Sequence, residues 1–211
     1  METSLPNVIS KAQVIFPKLQ IGYKDSSLFM KILGHLLWFN KGFMTDYATT
    51  IGNTMYFPSQ DYIKNADIGT IALFLHELTH IYDKNRISGI LYTALYIFPQ
   101  LLALLSLVLM FFCPWYITVL PLLCLLPIPA YFRMLFERKA YTIQLYIINK
   151  YDRVSTLDFY SSQFQTSAYY YMWPFSSMNA YFSEVWAQIK AGQKPVYESE
   201  IYDMVDKLVS S

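Results

Sequence analysis

The sequence predicts a mainly α chain with a small β element and a hydrophobic helical hairpin inserted between two of its helices. Three observations carry this: an unbroken apolar run over residues 87–132, apolar residues at helical spacing on both sides of it, and one short stretch rich in β-branched and aromatic residues. At 211 residues the chain reads as a single domain, 1–211, with 87–132 as an insert. Hydrophobic residues make up 55% of it and charged residues 15%, with a mean hydropathy of +0.26. Soluble domains carry about 25% charged residues, so this composition points to a membrane segment.

The N-terminal stretch "METSLPNVISKAQVIF" lacks a basic start followed by a sustained apolar run, so no cleavable signal is expected and the hairpin itself would direct insertion. Residues 26–39, "SSLFMKILGHLLWF", have helical spacing, and residues 48–58, "ATTIGNTMYFP", read as a strand ending at Pro58. Asp67 can cap a helix running to about residue 84. From Ile87 to Phe132 there is no Asp, Glu, Lys or Arg, a run about twice the ~20 residues that cross a bilayer once. Cys113, Pro114 and Trp115 divide it into segments of roughly 25 and 18 residues, and the Pro-Trp pair suits an interfacial turn. The two ends return to one side, where Lys84, Arg86, Arg133, Arg138 and Lys139 cluster, which puts both flanking parts on the cytoplasmic side of the membrane. Pro121, Pro127 and Pro129 kink the second segment or thin it to a re-entrant one. The alternative is a hairpin buried inside a virion or other large assembly.

Beyond the insert, residues 177–193 have a serine start and Gly192 as a stop, and 198–209 fit a last amphipathic helix with a plain solvated acidic face. The aromatic cluster "AYYYMWPF" (168–175) reads as core or interface. Net charge is +1 with acids and bases interspersed, which excludes the basic field that nucleic acid requires. Cys113 and Cys124 lack C-x-x-C spacing and read as buried thiols.

The chemistry is concentrated in "LFLHELTHIYD" (73–83). On a helix, residues four apart share a face, so His76 and His80 point together and can grip one zinc ion. Glu77, beside them, can reach a zinc-bound water as general base, and the surrounding apolar residues make the helix buried on most sides. A catalytic zinc usually has three protein ligands. The metzincin pattern is excluded, because Asp83 and Arg86 stand where it needs Gly and His. Asp83 shares the histidine face as a ligand, as an acceptor for a histidine N–H, or as a helix-end charge, the second being preferred. The favoured third ligand is Glu137 in "YFRMLFERKAYTIQLY": Ala140 beside it permits close helix approach, and Tyr141 or Gln144 on the same face can hydrogen-bond a ligand. The bland reading of Glu137 is a surface acid paired with Arg133 or Lys139. Glu184 in "NAYFSEVWAQ" ranks second, and His35, with no partner at metal spacing, is left out.

In "HELTH", the hairpin and "FERKAY", over roughly residues 45–150, the chain resembles the gluzincin metallopeptidases, in layout the HtpX-like membrane proteases. The resemblance implies a zincin-like α+β fold, Zn2+ held by His76, His80 and Glu137, Glu77 as base, and an edge strand near 49–56 able to pair with an extended peptide. A compact gluzincin domain of the kind found in phage and secretion-associated proteins is a second form of it. Two departures stand out: Tyr141 replaces the family's usual acid four residues after the ligand glutamate, and its later cationic side chain has no evident counterpart, a part left to the tyrosines of "AYYYMW" or to Arg153. The expected function is a zinc endopeptidase acting on a protein or peptide substrate at a membrane. The alternative is a non-catalytic membrane or virion protein that keeps the fold.

Overall fold

The computed structural model describes residues 4–38, 40–153, 156–166, 171–196 and 198–210. It is mainly helical with one small sheet. Helix α1 (Leu5–Ile15) opens with Pro6 in its first turn, where the missing N–H costs nothing, and strand β1 (Gln20–Tyr23) follows. Helix α2 (Leu28–Leu36) is capped by Ser27, whose side chain accepts from the Met30 amide. The expected single strand over 48–58 is instead a hairpin, β2 (Thr49–Ile51) and β3 (Thr54–Phe57). Gly52, at φ +64°, and Asn53 form the two-residue turn, and a residue with a Cβ would be strained there. The strand order is β1-β3-β2, with β1 parallel and β2 antiparallel to β3, which leaves β2 on an edge. Gly22 of β1 lets the Tyr56 ring lie against the backbone, because a Cβ there would stand 2.8 Å from that ring.

After the short helix α3 (Gln60–Lys64), helix α4 (Ile68–Ile87) carries the histidine motif. Asp67 caps it as expected, accepting from the Thr70 amide at 2.8 Å. Every residue from Phe74 to Ile81 is buried, so α4 is apolar all round and central. Its main partner is α8 (Tyr131–Lys150), equally enclosed from Ala140 to Leu145. On one side of this pair lies a core built by α1, the sheet, α4 and the last helix, α11 (Ser199–Val209). On the other, α9 (Leu157–Gln165) and α10 (Ser177–Lys190) close an aromatic core around Tyr141, Phe164 and Phe182. Gly192, at φ +77°, stops α10.

The insert between α4 and α8 departs from two continuous helices. Helix α5 (Gly89–Tyr96) packs on α4 and α8. The chain then bends by 94° at residues 97–99 and continues as a 3-10 turn (Gln100–Leu104) and α6 (Leu105–Leu109). It reverses at 110–114 and returns through α7 (Trp115–Thr118) and a second 3-10 turn (Leu120–Leu125). Among the described residues no single helix is long and apolar enough to cross a membrane, while the bent pair qualifies by length and composition. The corner has two causes. Pro99 removes a backbone donor, and Arg133 ties the corner to α8, donating to the Tyr96 carbonyl at 2.9 Å and to the Gln100 side chain at 3.0 Å. The expected basic cluster is likewise consumed inside the fold: Lys84 bonds Asn53, Arg86 pairs with Glu198, Arg138 covers the Tyr181 ring, and Lys139 bridges Asp83 and Glu198.

Directly after β1, Lys24 is fully buried. Its ammonium donates to the carbonyls of Phe43 (2.5 Å) and Tyr47 (2.6 Å) and lies over the Phe43 ring, pinning the segment that leads into β2. Burial pushes its pKa down to about 8, against the opposing charges of Glu77 and Asp46. Lys24→Met keeps most of the apolar stem but strands two carbonyls. It should lower stability by about 1–3 kcal/mol, read from the denaturation midpoint at unchanged slope.

Candidate metal centre

Helices α4 and α8 bring three of the expected residues to one point. His76 Nε2 lies 3.2 Å from Glu137 Oε2, and His80 Nε2 lies 3.5 Å from Glu137 Oε1. One donor atom from each residue falls within 4.8 Å of the others, and all three side chains are buried, His76 and Glu137 to 1% exposure. Ala140, fully buried one turn after Glu137, lets the helices approach this closely. A buried His-His-Glu group of this kind can bind a metal ion. Its own hydrogen bonding favours that reading: His76 Nε2 and Glu137 Oε2, though 3.2 Å apart, are directed so that neither completes a hydrogen bond, leaving two buried polar atoms orphaned.

The outer contacts come from an unexpected place, the first helix of the insert. Tyr96 donates its hydroxyl to Glu137 Oε1 at 2.5 Å, and the Tyr92 hydroxyl sits 3.0 Å from His80 Nδ1. With Nδ1 as the donor in that pair, Nε2 is left facing Glu137. The Tyr141 ring packs edge-on against His76, with centroids 4.4 Å apart, and so orients the imidazole by contact. Tyr92 and Tyr96 were missed in the sequence because they sit within a run that reads as uniformly apolar; their one-turn spacing is the only signal they give.

Burial works against a charge on His80, but Glu137, with smaller contributions from Glu77 and Asp83, outweighs it and pushes the imidazole pKa up to about 9. Glu137 is the mirror case: burial alone would raise it, and the two histidines hold it well below the usual carboxylate range. Without an ion, therefore, a proton does part of the metal's electrostatic work.

Glu77 is buried at the edge of the group, and its Oε2 accepts from the Thr50 hydroxyl of β2 at 2.6 Å. The sheet edge and the motif helix are thereby joined at this carboxylate. Lys24 is a buried cation that feels the Glu77 charge, and it lies early in the chain rather than after the motif.

Several expectations fail here. Asp83 neither joins the group nor accepts from a histidine. It accepts from Lys139 at 2.5 Å, and burial, offset by that ammonium, raises its pKa. Glu184 is exposed and accepts from Gln188 along its own helix, away from the histidines, so it is no rival to Glu137. The bland reading of Glu137 fails as well, because Arg133 and Lys139 are engaged elsewhere. Arg153 is exposed and its charge acts at Asp67, roughly two and a half turns before His76. Tyr169 and Tyr170 lie outside the described residues, and Tyr171 is exposed. Gln144 is buried with its Oε1 unpaired.

Three measurements follow. Because metal must displace the His80 proton, apparent affinity should rise about tenfold per pH unit up to about pH 9, with proton release seen by calorimetry in two buffers. In the metal-free protein the same raised pKa stabilises the fold fully below pH 6.5, and that contribution is lost as pH climbs to about 9, so the thermal midpoint should fall across this window. Tyr92→Phe and Tyr96→Phe should each weaken metal binding about 10–100-fold without unfolding the chain, read by competition with a chelating dye. No family model, curated protein or solved structure matches the chain, so the geometry of His76, His80 and Glu137 is the ground on which its function is read.

Proposed function

We propose that this chain is a zinc-dependent, membrane-associated endopeptidase of the gluzincin type, with His76, His80 and Glu137 holding the metal and Glu77 as general base. The observation that carries the reading is the convergence of two histidines from one helix and a glutamate from another around orphaned donor atoms, with a second glutamate alongside. Nitrogen and oxygen ligands about 2.0–2.1 Å from a tetrahedral zinc stand about 3.3 Å apart. The two histidine nitrogens stand at comparable separations, 3.2 and 3.5 Å, from different oxygens of the Glu137 carboxylate, and one donor atom from each of the three residues falls within 4.8 Å of the others. Imidazole and carboxylate donors also suit zinc.

Zinc, when bound, supplies a Lewis acid that polarises a carbonyl and brings the pKa of a neighbouring water toward about 7. Glu77 takes the proton of the attacking water and hands it to the departing amine. Thr50 fixes the Glu77 carboxylate for this task, and burial in an apolar helix strengthens its field. The exposed edge of β2, joined to the base through the same Thr50, suits an extended peptide as substrate. The apolar insert supports a site at a membrane surface and favours a membrane-associated protein as substrate, and the count of basic residues on its flanks favours the cytoplasmic side.

A second reading takes its support from how closed the group is, since a structural metal needs ligands and no open position. In it the chain is a membrane or virion component without turnover. Elemental analysis for zinc alongside casein cleavage in detergent separates the two. Glu77→Gln should keep zinc and lose about 10²–10⁴-fold in rate, while Glu137→Gln should lose both zinc and activity. Zinc in the wild-type protein with no cleavage would favour a structural metal; no zinc after reconstitution would end the protease reading and leave a metal-free membrane or assembly component.

A further inference from the structure

The insert is built inside out. Its arms, Gln100–Leu109 and Trp115–Leu125, pack against each other through small residues: Ala103 and Ser106 are 8% and 7% exposed. The large apolar side chains point away, with Leu107, Phe111, Phe112, Trp115 and Leu120 all exposed, Phe112 to 81%. A water-facing hairpin would bury the large residues and show the small polar one. Small residues at the helix seam and large apolar ones outside are what a hydrocarbon solvent selects. Exposure runs along both arms, from Leu102 to Leu126, in a segment without a charged side chain. A flat patch for a single protein partner would occupy one face instead.

The reach of this surface is set by the corner at 97–99. Helix α5 is held in the fold by Tyr92 and Tyr96 at the metal group and by the bonds of Arg133 across the bend. It cannot swing out to lengthen the first arm without breaking them. The free arms are then about 17 and about 19 Å long by the rise of their α and 3-10 turns, against roughly 30 Å for a full hydrocarbon core and about 15 Å for one leaflet. We infer that residues 100–126 enter one leaflet of a lipid bilayer as a re-entrant wedge, with lipid acyl chains covering the exposed apolar side chains and the tip at 110–116 never reaching the far surface. This deepens the membrane-associated reading above by naming what the insert binds and how far it goes.

The full-length protein, moved from detergent onto preformed sealed phosphatidylcholine vesicles, tests it in two ways. Brominated lipid is confined to the outer leaflet, with Trp115→Phe as the blank for the other tryptophans. In the Cys124→Ser variant, Cys113 is challenged by a membrane-impermeant maleimide sealed inside. Expected are co-flotation, loss of most of the fluorescence contributed by Trp115, and no labelling of Cys113. Labelling from inside would mean a full crossing and overturn the single-leaflet wedge. Failure to float, with self-association instead, would make a second copy the occupant and overturn lipid binding. Zinc content and casein cleavage on the same vesicles report on the protease reading alone, so the two fail separately.

Discussion

The structure turns on one buried carboxylate. Glu137 stands between two imidazoles where α8 packs on α4, with almost no exposure to water. An isolated ion there costs several kcal/mol, so a positive partner is obligatory, whether imidazolium or metal. That requirement holds the two helices in register, and because both are enclosed over their middle turns, the sheet, the aromatic core and the C-terminal helix are arranged around them. The orphaned atoms at His76 and Glu137 mark where the protein alone leaves the account unsettled.

A second layer of charge keeps the outer end of the same helix pair closed. Lys139, two residues after Glu137, points away from the metal group and bridges Asp83 with Glu198, which also receives Arg86. The segment before α11 is thus tied to both central helices. Lysine and glutamate two apart on α8 divide the labour, one face serving the site and the other the clamp.

Much of the site was legible because helical spacing is a local rule. His76, His80 and Glu77 followed from a five-residue motif, and Glu137 from its neighbour Ala140 and the face they share. What was illegible depended on contacts distant in sequence. Thr50 reaches Glu77 only once β2 has paired with β3, and the fold of "ATTIGNTMYF" into a hairpin hinges on Gly52 and Asn53, a turn hidden within a stretch of strand-like composition. Strand β1 has four residues and no alternation of exposure to announce it. Lys24 reads as an ordinary surface lysine until two carbonyls and an aromatic ring enclose it. The insert was visible as apolar, but a hydropathy count does not register that one proline and one distant arginine turn it through a right angle.

Tyr96 is the residue where these threads meet. Its hydroxyl rests on Glu137, its ring lies beneath the Arg133 guanidinium, and its carbonyl accepts from the same arginine at the corner of the insert. The apolar insert is therefore not a detachable anchor tethering an independent enzyme. A shortened chain made for convenience by removing residues 89–126 would delete the hydroxyls that contact His80 and Glu137 and leave the half-buried Arg133 without its acceptors. Insert and site form a single mechanical unit, and a lineage that altered one would have had to rebuild the other.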